Sequence, residues 1–154
     1  MKEKPIRVLQ VMSNMNRGGA GTMIMNVYRK IDRNEVQFDF VVHSNKKSAY
    51  EDEIKELGGK IFSFPNYKGS NHFEYKKAWN DFFKENIDYK IIHAHKRSTA
   101  SIYLKIAKKY QIKTIIHSHS ASSKGGFASL VKKIFQLPLR DRADYLFACS
   151  KNAG

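Results

Sequence analysis

"YKIIHAHKRSTASIYLKIAKKYQIKTIIHSH" (residues 89–119) sets two short apolar runs, each closed by an H-x-H, on either side of an amphipathic stretch. The runs YKIIHAH (89–95) and IKTIIHSH (112–119) are short and rich in isoleucine, and they read as buried strands. Between them STASIYLKIAKKY (98–110) spaces its apolar residues as a helix does, with Ser98 placed to cap its N-terminus. Strand, helix, strand in this order implies parallel pairing through a right-handed crossover.

The same rhythm extends outward in both directions. Upstream, IRVLQVM (6–12), VQFDFVVH (36–43) and KIFSF (60–64) read as strands. Helices are expected from about Thr22 to Ile31, over YEDEIKEL (50–57) before Gly58-Gly59, and over residues 72–86. Downstream, FASLVKKIFQLPL (127–139) is amphipathic until Pro138 stops or kinks it, and ADYLFACS (143–150) is a sixth strand. Six strands alternating with helices predict an α/β fold, a doubly wound, mostly parallel Rossmann-like sheet.

The chain's 154 residues suit one domain with a real core. Its one cysteine, Cys149, excludes an intrachain disulfide and any multi-cysteine metal site, which suits a reducing cytoplasm. The apolar run 6–12 is too short for a signal-peptide core or a membrane span. Charge is uneven. From residue 90 onward there are thirteen lysines and arginines against two acids, which is +11 of the chain's net +14. Such a field attracts phosphate, in a nucleotide, a nucleic acid or an anionic membrane, and does not choose among them.

In parallel sheets ligands bind beyond the carboxyl ends of the strands. Three polar loops converge there: SNMNRGGAG (13–21), HAHKRST (93–99) and HSHSASSKGG (117–126). Gly18, Gly19 and Gly21 either make a plain tight turn or let backbone amides approach a phosphate at a helix N-terminus. NRGGAG matches neither the dinucleotide fingerprint nor the P-loop. The alternation along the strand is read as setting His93 and His95 on opposite faces, so that one at most faces a given pocket and the other packs. His119 is then the histidine projecting from the tip of the fifth strand. Two H-x-H pairs on neighbouring strands can build a zinc site, but no Asp or Glu stands nearby to complete it. A Ser-His-Asp hydrolase lacks its G-x-S-x-G elbow.

Taken together, VLQVMSNMNRGGAGTMIMNVYRKID, DFVVH, IIHAHKRSTAS, TIIHSHS and the terminal ACSKNAG resemble the N-terminal half of family-4 retaining glycosyltransferases of the GT-B fold, of the bacterial capsule and exopolysaccharide type. The resemblance implies an acceptor-side domain over residues 1–154, facing a C-terminal domain that holds a nucleotide-sugar donor and is absent here. It places Gly18 and Gly19 against the donor diphosphate. It sets His119, with His117 as second choice, beside the transferred sugar as the catalytic histidine, and has Ser118 and Ser120 line the cleft. Arg17, His95 and Lys96 are anion or substrate contacts by charge and position. The implied reaction moves a sugar to a lipid-linked saccharide without metal or other cofactor, in the cytoplasm or peripherally on the inner membrane face, and the isolated domain is expected to be inactive.

Two departures accompany the resemblance. Such proteins commonly carry Glu after "GGA", where this chain has Gly21. The E-x7-E-type donor motif of the second domain is missing. Lys124, Lys132, Lys133, Arg140 and Arg142, interleaved with Phe127, Leu130, Val131, Ile134, Phe135 and Leu137, suit either an anionic bilayer or an ordinary core-facing helix with a wet basic side. Two other classes stay open: a basic nucleic-acid-binding module, which lacks any RRM, KH or helix-turn-helix signature, and a Rossmann-type nucleotide binder.

Overall fold

The computed structural model describes residues 4–119 and 139–150. The amphipathic segment 127–138, Ser120 and the terminal KNAG lie outside the described residues.

Six strands form one sheet: β1 (Ile6–Met12), β2 (Val36–Val42), β3 (Ile61–Ser63), β4 (Ile91–Ala94), β5 (Lys113–Ser118) and β6 (Tyr145–Ala148). Their order is β3-β2-β1-β4-β5-β6 and every pairing is parallel. The order reverses between β1 and β4, which is where a doubly wound sheet opens its ligand crevice. Connecting helices are α1 (Gly19–Lys30), α2 (Glu51–Glu56), α3 (His72–Glu85), α4 (Ala100–Lys109) and the short α5 (Leu139–Arg142).

Alternation along the strands sorts the core into two layers. Leu9, Val11, Ile92, Ala94 and Ile116 face α3 and α4, where Trp79 stacks on Tyr103 at 4.8 Å between ring centroids. Val8, Met12, Phe38, Phe40 and Val42 face α1 and α2, where Tyr28 stacks on Phe38 at 5.3 Å. With both faces covered, the strands are almost continuously apolar. The most buried charge among the exceptions is fully bonded. Asp39, fully buried in β2, takes Arg7 Nε and Tyr89 Oη on Oδ2, at 2.6 Å each, and the Lys60 amide on Oδ1 at 2.7 Å. One carboxylate thereby ties β1, β2, the start of β3 and the approach to β4.

Helix ends show where local sequence rules operate. After α2 the Gly59 amide reaches the Ile54 carbonyl and the Gly58 amide reaches Lys55, with Gly58 at φ +85°. After α4 the Ile112 amide reaches Ala107 and the Gln111 amide reaches Lys108, with Gln111 at φ +58°. Both are Schellman endings, and the second puts a glutamine where glycine is normal. At the start of α4 the structure corrects the sequence reading. A 3-10 turn, Arg97–Thr99, intervenes, and Thr99 rather than Ser98 is the N-cap, without a side-chain capping bond.

Candidate functional site

The loop after β1 is anchored before it reaches the cleft. Met15 is fully buried, its amide donates to Ser48 Oγ at 3.2 Å, and its carbonyl accepts the Tyr50 amide at 3.0 Å. Asn16 Oδ1 accepts the Ala49 amide, and the Asn16 carbonyl accepts the Gly18 amide at 2.8 Å. The chain then enters α1 at Gly19, three residues earlier than the sequence suggests, with Gly18 as N-cap. No side chain caps that end, and its first turn holds no acidic residue. The amides of Gly19, Ala20 and Gly21 and the positive end of the helix dipole are thus left to whatever approaches.

The three glycines differ in what demands them. Neither Gly18 nor Gly19 has positive φ, and a Cβ built on either meets nothing within 4 Å. Neither backbone strain nor protein packing requires glycine at these two positions, so a tight turn does not explain them. Gly21 is different: a Cβ there would strike the Asn16 carbonyl oxygen. The loop as it is folded here therefore leaves no room for the Glu expected at position 21.

A cleft of about 240 Å³ lies over this helix start, lined by Met12, Ser13, Asn14, Asn16, Gly18 to Gly21 and His95. His95 brings β4 to it, because the His95 and Lys96 amides both donate to the Val11 carbonyl at the end of β1. Arg17 is exposed just before the glycines. Lys96 is partly buried, and burial pushes its ammonium down to about 8. A bound anion would relieve that cost.

The histidines form one group. The expectation that His93 and His95 face opposite sides is wrong, since residues two apart on a strand share a face. The β4–β5 register brings the second pair alongside. Ring centroids are 4.2 Å apart for His93 and His95, 5.4 Å for His93 and His117, and 4.3 Å for His117 and His119. His95 Nε2 lies 2.9 Å from Gln10 Oε1 and its Nδ1 lies 2.6 Å from His119 Nε2. Gln10 Oε1 can only accept, so His95 carries its proton on Nε2 and accepts a hydrogen bond from His119 Nε2–H on Nδ1. Burial pushes His95 down to about 2 and His93 to about 4, and lowers His117 and His119 as well. All four are neutral imidazoles at neutral pH.

Ser118 alternates to the other face, buried, where Arg97 donates to its Oγ at 2.6 Å. The resemblance has it line the cleft, whereas its side chain is on the face opposite His117. Gln10 is the residue the sequence reading passed over. A polar side chain in the middle of the buried run IRVLQVM was the signal, because a buried amide needs a partner.

Comparison with known proteins follows this geometry. Residues 17–154 match the model of Glycosyltransferase Family 4. EpsF of Bacillus subtilis (strain 168), named as a glycosyltransferase, is 37% identical over 158 residues, which covers 100% of this chain and 41% of EpsF. The capsular polysaccharide biosynthesis glycosyltransferase CapH of Staphylococcus aureus is 32% identical over 90 residues, covering 58% of this chain and 24% of CapH. The crystal structure of MurG from Acinetobacter baumannii superposes with a TM-score of 0.65 at 12% identity, over 97% of this chain and 43% of MurG, a likeness of fold. The chain thus spans about two fifths of the length of EpsF.

Proposed function

Because the chain belongs to glycosyltransferase family 4, we propose that it forms the acceptor-side half of a two-domain GT-B enzyme of capsule or exopolysaccharide synthesis. The enzyme moves a sugar from a nucleotide-sugar to a lipid-linked saccharide with retained anomeric configuration. The observation that carries this reading is the uncapped start of α1. Gly18 and Gly19 are unforced by backbone angle or by packing, and their lack of side chains lets a diphosphate approach the amides of Gly19 to Gly21.

In the transfer, the bond from the anomeric carbon to the diphosphate breaks and its electron pair leaves with the diphosphate. The amides of the glycine turn, the α1 dipole and the Lys96 ammonium offset that developing charge. The acceptor oxygen bonds the same face of the sugar, and its proton passes to the departing diphosphate oxygen. His119, neutral and held through His95 to Gln10, stands as the group beside the sugar, and no step calls for a metal. The basic surface favours a peripheral position on an anionic membrane, where a lipid-linked acceptor resides. Among the described residues no helix is long and apolar enough to cross a membrane. A second domain closes the cleft, so residues 1–154 alone lack the donor pocket and the water exclusion that transfer needs.

The test follows labelled sugar from a panel of nucleotide-sugars into lipid-extractable product on membranes, comparing the intact gene product with residues 1–154. Transfer by the first and none by the second is expected, with the new linkage keeping the donor's anomeric configuration by NMR. Turnover by residues 1–154 alone, or an inverted linkage, would contradict the proposal.

A further inference from the structure

Beside the glycine cleft, three of the four histidines hold an arrangement that sugar transfer does not account for. One ring nitrogen from each of His93, His95 and His117 lies within 4.8 Å of the other two. His93 Nε2 and His117 Nδ1 are buried and have no hydrogen-bond partner among the described residues. Two buried, unpartnered nitrogens on neighbouring rings 5.4 Å apart are costly unless something engages them. His95 is set up differently. Its Nε2–H is fixed by Gln10 Oε1, so its Nδ1 carries the lone pair, which accepts from His119. Metal-bound imidazoles are oriented in this way, with the far N–H donated to a carbonyl oxygen.

We propose that His93, His95 and His117 bind one divalent transition-metal ion of the zinc class. Three neutral imidazoles with no thiolate and no carboxylate suit zinc, cobalt, nickel or copper and disfavour magnesium and calcium, which take oxygen ligands. At metal–nitrogen lengths of about 2.0–2.1 Å a tetrahedral ion holds its ligand atoms roughly 3.4 Å apart. The rings therefore need to close by about 1.4 Å at most, which side-chain rotation supplies. The fourth position stays open to water or an anionic oxygen. The ion takes the His95 lone pair that now accepts from His119, so a bound metal and the His95–His119 hydrogen bond exclude each other. The site shares His95 with the hydrogen bond that holds His119, so an ion bound here would release His119 from it; the metal reading does not need the transfer reading to hold.

The test titrates the purified chain with Co²⁺, read by its visible d–d bands, and with Zn²⁺ by calorimetry. One equivalent should bind with a tetrahedral spectrum. His93→Ala and His117→Ala should abolish the band, Gln10→Leu should weaken binding by about 10- to 100-fold, and His119→Ala and His72→Ala should leave it in place. Imidazole NMR of the wild type answers independently of whether the variants fold. Zinc should move the His93, His95 and His117 signals and leave His43 and His72 unmoved. Absence of a stoichiometric site, binding undiminished in His93→Ala, or zinc-induced shifts confined to other histidines would overturn the proposal.

Discussion

At the scale of single residues, His43 shows how burial becomes pH dependence. Its Nδ1–H donates to the Met12 carbonyl at 3.1 Å, and its Nε2 accepts from Tyr75 Oη at 2.7 Å. Among the described residues the groups facing it are that carbonyl, Phe64, the α3 residues Tyr75 and Trp79, and the Lys96 charge, with no carboxylate. Burial and Lys96 push it down to about 4 from 6.5. The unfolded chain therefore takes up a proton that the folded one refuses. Stability from this residue is complete above pH 6.5 and is lost as pH falls toward 4, by about 3 kcal/mol at most. Urea unfolding at pH 7.5 and 5.0 should show a steeper loss for the wild type than for His43→Gln. Equal slopes would contradict it.

Gly21 gives a second residue-scale outcome. Gly21→Ala gains about 1 kcal/mol in helix propensity, but the new methyl meets a carbonyl that is fixed by the Gly18 amide. Overpacking costs roughly 1–3 kcal/mol. The variant should be net destabilised, with the amide resonances of 16 to 19 displaced, whereas an unchanged loop and higher stability would refute the close contact. Sequence alone singled out the histidines but misjudged their geometry. The pleat period places both H-x-H pairs on one face, and only the register between β4 and β5 tells that the two pairs meet.

Elements were legible where period and composition agreed. The strands of β1 and β2 fell within a residue of their expected bounds because their apolar runs are long and uninterrupted. Helix starts were less so. Glycine disfavours a helix interior, so Thr22 looked like the start of α1, yet first-turn amides make no intrahelical bonds and tolerate glycine. The Arg97–Thr99 turn was invisible for a related reason: Ser98 is a good cap by type, and only the approach of Lys96, whose carbonyl accepts from Tyr103 Oη at 2.7 Å, fixes where α4 begins. Gln111 supplies the test at this scale. Its left-handed backbone costs a non-glycine residue about 1–2 kcal/mol, so Gln111→Gly should raise stability by about 1 kcal/mol in urea unfolding. No gain would mean that the ending of α4 is not the Schellman turn described.

For the whole molecule, the doubly wound order follows from right-handed crossovers once six parallel strands are granted, and it puts the loops after β1, β4 and β5 on one edge. That much was readable from spacing. The nature of the edge was not, because a diphosphate cleft and a generic nucleotide site share glycines and positive charge. A diphosphate cleft is proposed on family membership and on the unforced glycines. Gln10 escaped notice because its partner is 85 positions away in sequence.

The most direct measurement is sugar transfer by the intact gene product before and after His119→Ala, with far-UV circular dichroism to confirm folding. A fall in kcat of about 100-fold or more, with the KM for the nucleotide-sugar little changed, is the predicted result. Full activity in the folded variant would contradict the assignment of His119 to the reacting sugar and with it the account of this cleft.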